Sequence, residues 1–264
     1  MNFGTNQNEI QFIKGMNFLG TIPARYASTR FPGKPLVQIQ GTSMIERVYK
    51  QALKSKKLSE VIVATDDDRI YDHVKNFGGN VMMTSADHPS GTDRCAEVLS
   101  KQATKFDVVI NIQGDEPFIQ PEQIDLLVSC FENKEVQIAT LIKKIISFDE
   151  LKNPNTPKVV IAQNGDAIYF SRQVIPFKKD VAFDEWINHG TYYKHIGIYG
   201  YKAEVLPRLT NLSKGNSEQS ESLEQLRWLE NGFHIRTKIT EMETIAIDTP
   251  DDLEKIKRFW SDRP

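Results

Sequence analysis

The sequence predicts an α/β protein with a mixed, mainly parallel central sheet and helices on both faces. Two observations carry this. Short β-branched runs alternate with stretches of helical period through the first half of the chain, the pattern of parallel strands joined by helical crossovers. In the second half, Asn164-Gly165 between two apolar runs is a strong hairpin signal, which makes the sheet mixed.

Residues 18–22, Phe-Leu-Gly-Thr-Ile, read as a buried strand that Pro23 ends. Ser43-Met-Ile-Glu46 is a capping box, and Met44, Ile45, Val48, Ala52 and Leu53 then recur with helical period. Residues 60–65 are a second strand, ending in Asp66-Asp67-Asp68. The next helix turns Ile70, Tyr71, Val74 and Phe77 inward and stops at Gly78-Gly79. Residues 81–83 form a third strand. A loop through His88-Pro89-Ser90-Gly91 leads to a helix holding Cys95, Val98 and Leu99. Residues 108–112 are a fourth strand, broken by Gly114-Asp115-Glu116-Pro117, and Pro121 opens the following helix in its first turn. Beyond that, strands are expected over 138–142, 159–162, 167–170, 194–201, 233–239 and 244–247, with one helix over 217–230 stopped by Asn231-Gly232. Thr249-Pro250-Asp251-Asp252 caps a last helix with Leu253, Ile256 and Phe259 on one face.

A chain of 264 residues accommodates one large α/β domain or two small ones, and one mixed-sheet domain with a hairpin insertion fits this pattern better. Residues 1–15 are polar and Asn/Gln-rich and precede Met16; they are expected to be a dispensable extension, with 16–264 as the single domain. Apolar and charged fractions of 39% and 26% suit a water-soluble globule, and a net charge of −2 argues against coating a nucleic acid. Cys95 and Cys130 fall in helical patterns and read as reduced thiols. No apolar run approaches the ~18 residues of a membrane span, and residues 1–15 lack the apolar core of a secretory signal. A cytoplasmic protein with no membrane and no nucleic-acid partner is expected.

The chemistry concentrates between the first strand and the first helix. There Arg25, Arg30 and Lys34 lie within ten residues, with no acid among them. Pro32 and Pro35 stiffen the backbone around Gly33. A strand emptying into a cationic, glycine-bearing loop before a helix is how α/β proteins hold polyphosphate; the alternative is a solvated basic loop. Phosphate chemistry also needs hard oxygen ligands for a divalent cation. Asp115 and Asp248 each follow an expected strand, at the edge where open α/β sheets bind ligands. Taken alone, Asp115 could equally be a turn residue and Asp248 a lead into the cap at Thr249.

Ile22-Pro-Ala-Arg-Tyr-Ala-Ser-Thr-Arg-Phe-Pro-Gly-Lys-Pro-Leu36 resembles the opening motif of the 3-deoxy-manno-octulosonate cytidylyltransferases, or CMP-Kdo synthetases. The resemblance continues in Val63-Ala-Thr-Asp66, Ala86-Asp-His-Pro-Ser-Gly-Thr-Asp-Arg94, Asn111-Ile-Gln-Gly-Asp-Glu-Pro117 and Tyr169-Phe-Ser-Arg172. It extends through His195-Ile-Gly-Ile-Tyr-Gly-Tyr201, Leu223-Glu-Gln-Leu-Arg227 and Ile247-Asp-Thr-Pro-Asp-Asp-Leu253, eight blocks in the family's order. The chain departs from the pattern at Ser217, where the family tends to have a leucine.

What the resemblance implies is specific. The fold is that of the nucleotide-diphospho-sugar transferases. Asp115 and Asp248 carry the Mg²⁺, and with Lys34 and Arg25 they form the catalytic group. Ala24, Arg25, Arg30, Lys34, Ser90, Gly91, Arg94 and Gln113 hold the nucleotide, with Arg94 and its loop reading cytosine. Gln113, Arg172, His195, Tyr199, Glu224 and Gln225 hold the sugar acid. From the residues alone, Ser90 could be an ordinary N-cap, His195 a satisfied polar residue and Glu224 a solvated helix residue. The implied reaction transfers CMP from CTP to the anomeric 2-hydroxyl of Kdo and releases pyrophosphate, for lipopolysaccharide, in a homodimer. The rivals are an enzyme for a related sugar acid such as 8-amino-Kdo, and a nucleotide-binding regulator that does not turn over.

Overall fold

The computed structural model describes residues 15–28 and 30–261, without the side chains of residues 255 and 257–261. Residues 1–14 of the polar extension and the Phe259 side chain lie outside the description. The fold is mixed α/β, with a mainly parallel sheet and helices packed on it. The described residues form two compact units, one of Met16–Asp125 with the segment from Glu243 onward, the other of Leu126–Met242.

In the first unit, strands β1 (Phe18–Ala24), β4 (Glu60–Thr65), β5 (Val81–Met83) and β6 (Val108–Asn111) lie in the order β6-β1-β4-β5, all parallel. The runs of β1, β4 and β6 are mostly apolar, as strands covered on both faces must be, while β5 lies at the edge with Met83 exposed. Leu19, Ile22, Val63, Val108 and Ile110 are fully buried. The helix Met44–Ala52 is capped by Ser43, whose side chain accepts the Glu46 N–H, and turns Met44, Ile45, Val48 and Ala52 into the core. Leu53, expected inward, follows the helix's last residue and is 56% exposed. A short hairpin, β2 (Gln38–Ile39) and β3 (Thr42–Ser43), turns through Gln40 and Gly41, both at positive φ.

Two expectations fail here for local reasons. Pro23 does not end β1, which runs on to Ala24 in register with Ala64 and Thr65 of β4. The Thr21 carbonyl accepts from Ile112, so odd-numbered residues of β1 present their amide edge toward β6. Pairing with β6 stops at Thr21, so the missing Pro23 donor falls where no ladder bond is needed. Residues 244–247 are not a strand. That segment is instead anchored by Ile247, which is fully buried and donates its N–H to the Asp115 carbonyl at 2.9 Å.

The second unit holds β7 (Ile138–Lys144), β8 (Lys158–Ile161), β9 (Ala167–Ser171), β10 (Tyr193–Lys202) and β11 (Ile235–Ile239). β7 pairs parallel with β11 and antiparallel with β10; β8 pairs antiparallel with both β10 and β9. The β8–β9 turn places Gly165 at φ +86°, as the Asn-Gly signal requires. The helix expected over 217–230 is broken into Asn216–Glu221 and Gln225–Glu230, with Ser222 left-handed between them at φ +51°. Side chains hold it open: Arg172 Nε donates to the Glu221 carbonyl at 2.7 Å, and the Glu221 carboxylate accepts Ser171 Oγ and the Arg172 N–H. At Ser217, where the chain departs from its family's pattern, the backbone N–H is bonded to Glu230 Oε1. No described helix is long and apolar enough to cross a membrane.

Candidate active site

The first unit carries a cleft of about 440 Å³ at the carboxyl ends of β1 and β6. Ala24, Arg25, Arg30, Lys34, Gly91, Arg94, Gln113, Asp115 and Asp248 all line it. The cation loop enters because Gly33 adopts φ +72° and starts a short 3₁₀ turn, Lys34–Leu36, which aims Lys34 inward. A neighbouring close approach requires Gly114: a Cβ there would meet the Pro23 carbonyl oxygen at 2.7 Å.

Lys34 is the hub. Its Nζ lies 2.6 Å from Asp115 Oδ2 and 3.1 Å from Asp248 Oδ1. Arg30 Nη2 reaches Asp248 Oδ2 at 3.1 Å. The Ile247 to Asp115 backbone bond brings the two acids together, and Asp248 is placed by that bond, by its N–H to Asp252 Oδ2 and by its ion pairs, not by a strand end. Beyond it, the Thr249 N–H and hydroxyl both donate to Asp252 Oδ2, and Asp252 N–H returns to Thr249 Oγ1, closing the cap of Pro250–Ser261.

Sequence reasoning missed Glu116. It is 6% exposed, and its Oε2 is buried without a partner. Burial first, then the charges of Asp115 and Asp248, raise its pKa to about 8. Its place directly after Asp115 was the available signal, but adjacency says nothing of burial.

Two carboxylates drawn onto one ammonium, with a buried carboxyl oxygen beside them, suit a hard divalent cation. Among the described residues no three acidic, histidine or cysteine side chains converge tightly enough to hold an ion by themselves. A cation at Asp115 and Asp248 would therefore complete its shell with substrate oxygens and water, the usual arrangement for Mg²⁺.

Ser90 does not line the cleft. Its hydroxyl caps the helix Gly91–Ser100, accepting Thr92 and Asp93 N–H and donating to Asp93 Oδ2. Arg94 lines the cleft but is 1% exposed, and it is held by two partners the sequence reading left without a role. Nη1 donates to Thr84 Oγ1 at 2.7 Å and Nη2 to Asp66 Oδ2 at 2.8 Å.

The sugar candidates apart from Gln113 lie in the second unit. His195 packs against Phe170 and Tyr199, with Nε2 3.1 Å from Thr140 Oγ1. Desolvation lowers its pKa to about 4. Tyr199 is 6% exposed; burial, then the nearby Glu224 charge, raises its phenol well above the usual value. Glu224 Oε1 accepts from Arg227, and Gln225 is buried with Nε2 unpartnered. His195 touches Tyr199, Glu224 lies near the Tyr199 phenol, and Gln225 follows Glu224 in the chain. Arg172 is engaged elsewhere: its guanidinium donates to the carbonyls of Glu221, Pro154 and Ser222.

The chain matches the cytidylyltransferase family over residues 19–245. It is 54% identical to the 3-deoxy-manno-octulosonate cytidylyltransferase of Parabacteroides distasonis over 252 residues, covering 94% of this chain and 100% of that protein. The enzyme of the same name from Bacteroides thetaiotaomicron is 53% identical, with the same coverage. A solved structure of CMP:2-keto-3-deoxy-manno-octonic acid synthetase complexed with CTP superposes with a TM-score of 0.86, at 42% identity, over 94% of this chain and 100% of that one. The chain is a nucleotidyltransferase and belongs to the 3-deoxy-manno-octulosonate cytidylyltransferase family.

Proposed function

We propose that this protein transfers CMP from CTP to the anomeric 2-hydroxyl of Kdo, giving CMP-Kdo and pyrophosphate for lipopolysaccharide synthesis in the cytoplasm. The observation that carries the reading is the convergence of Arg30 and Lys34 with Asp115 and Asp248 in one cleft. A nucleotide-binding regulator needs the cations; it does not need a paired set of acids beside them.

In this reading Arg25, Arg30 and Lys34 bind the triphosphate by charge-assisted hydrogen bonds and hold the leaving pyrophosphate. Arg94, braced by Asp66 and Thr84, fixes the wall of the base pocket beside Gly91, and Gln113 serves both substrates. The polar side chains of His195, Tyr199, Glu224 and Gln225 suit a ligand rich in hydroxyls. With a pKa of about 4, His195 is neutral at neutral pH and acts as a hydrogen-bonding group. The 2-hydroxyl oxygen bonds to the α-phosphorus as the bond to pyrophosphate breaks, and the hydroxyl proton leaves to solvent. Asp115 and Asp248 would hold Mg²⁺, which when bound neutralises phosphate charge and favours ionisation of the sugar hydroxyl. A homodimer is part of the reading, supported by the exposed aromatic rings of Phe177 and Phe183 beside Trp186.

The test is pyrophosphate release from CTP or UTP, with no sugar acid, Kdo or 8-amino-Kdo present. Release that needs both CTP and Kdo is expected. UTP should be clearly poorer, because a buried group built for the cytosine amine is left unpaired by uracil at about 1–3 kcal/mol. Equal use of both nucleotides, or no release with any sugar acid, overturns the reading.

A further inference from the structure

The cation loop has a brace outside the cleft. Arg69 lies in the first turn of the helix Asp68–Asn76, and its guanidinium carbon sits 3.3 Å from the centroid of the Tyr26 ring. The guanidinium cannot swing freely. Asp67, the N-cap of the same helix, grips it at two points, Nε to Oδ1 at 2.9 Å and Nη2 to Oδ2 at 2.6 Å. Asp67 Oδ1 also accepts the Arg69 N–H at 3.0 Å, so one carboxylate caps the helix and orients the cation.

Tyr26 in turn governs both ends of the phosphate loop. Its carbonyl accepts the N–H groups of Ser28 and Gly33, each at 2.9 Å. Its ring lies against Gly33 so closely that a Cβ there would meet ring atoms at 3.2 Å. Arg25 immediately precedes Tyr26, and Lys34 immediately follows Gly33. A ring pinned over Gly33 therefore sets the spacing of Arg25 and Lys34 across the turn.

We propose that Arg69 is a positioning residue for the triphosphate. Oriented by Asp67, it clamps the Tyr26 ring and so holds the cation loop in its phosphate-binding geometry before nucleotide arrives. It touches neither substrate. The inference rests on the phosphate role of Arg25, Arg30 and Lys34 proposed above. Preorganised cations lose less freedom on binding, so the clamp should act on nucleotide affinity and leave sugar affinity alone.

The experiment compares the full-length wild type with Arg69→Ala, Arg69→Lys, Tyr26→Leu and the Arg69→Ala/Tyr26→Leu double variant. Steady-state kinetics, CTP binding by calorimetry and melting temperature are measured for each. Arg69→Ala should raise KM and Kd for CTP about threefold, the size expected for one exposed cation–π contact. Its KM for the sugar acid and its melting temperature should not change. Tyr26→Leu should weaken CTP at least as much, and the double variant should be no worse than Tyr26→Leu, because both act through one contact. Arg69→Lys keeps a cation over the ring without the two-point grip and should fall between wild type and Arg69→Ala. Unchanged CTP affinity in Arg69→Ala overturns the proposal. So do losses that multiply in the double variant, or equal losses for both substrates with a lowered melting temperature. A wild type that binds CTP but releases no pyrophosphate overturns the catalytic reading instead, and the binding arm still reads the clamp.

Discussion

The ammonium of Lys34 sits 2.6 Å from the Asp115 carboxylate, with only 13% of the lysine side chain exposed. The same ammonium reaches Asp248, so one side chain from the cation loop pairs with both acids of the cleft, and Arg30 adds a second cation at Asp248. The lysine proposed to bind phosphate and the two acids proposed to hold a cation thus share one charge balance. In the proposed reading an arriving triphosphate would compete for Lys34, and that competition would free the carboxylates for a divalent cation.

Removing the ammonium should separate those two roles. In Lys34→Met, Asp115 loses its ammonium and Asp248 keeps Arg30 alone, so nucleotide-free protein should bind Mn²⁺ about tenfold more tightly than wild type, a modest part of the interaction between charges at this range. Affinity for CTP should fall in the same variant. Calorimetry with Mn²⁺ alone and with CTP alone reads both effects. Equal Mn²⁺ affinity in wild type and variant would show that Lys34 does not compete for the carboxylates.

The acids themselves should matter for turnover more than for folding or nucleotide capture. Asp115→Asn and Asp248→Asn keep the side-chain size and remove the charge. Each should melt near wild type, retain measurable CTP binding and lose turnover by about a hundredfold or more, as for loss of a main electrostatic term. If both act through one ion, the double variant should be little worse than either single, as for residues working as a unit. Near-normal turnover in either single variant would falsify the shared-cation assignment.

His195 yields a prediction in pH. Desolvation holds its folded pKa at about 4, below its ordinary 6.5, so between these values the unfolded chain binds the extra proton. Stability from this group is full above pH 6.5, declines on acidification and is lost as pH falls through about 4. The slope in that window is at most about 1.4 kcal/mol per pH unit. The stability of His195→Gln relative to wild type should therefore rise as pH drops from 6.5 to 4 and level off below. Denaturant melts of both proteins across that range measure it, and parallel curves would place the imidazole in water-like surroundings.

Much of the fold was readable because its signals are local. The strand over residues 60–65, the Ser43 cap and the Asn164-Gly165 hairpin each follow from a few neighbouring residues, and each is where the pattern put it. The cation loop was readable for the same reason: Arg25, Arg30, Lys34 and Gly33 are close in sequence, and the backbone freedom they need belongs to Gly33 itself. Folding decided what depends on distant partners. Residues 244–247 have a strand's composition, yet no strand forms there, and Asp248 is positioned by the Ile247 bond to Asp115 together with its own partners Lys34, Arg30 and Asp252. The helical pattern of residues 217–230 is continuous, yet Arg172 and Ser171 capture Glu221 and open a gap at Ser222. Asp66, Thr84 and the Arg69–Tyr26 clamp gave no local sign of their roles, and Glu116 gave only its adjacency to Asp115. Burial and pairing are properties of the assembled chain: Arg94 meets Asp66 across 28 positions, and the Glu116 carboxyl is raised by burial and then by the charges of Asp115 and, from the far end of the chain, Asp248, contacts that no short window of sequence contains.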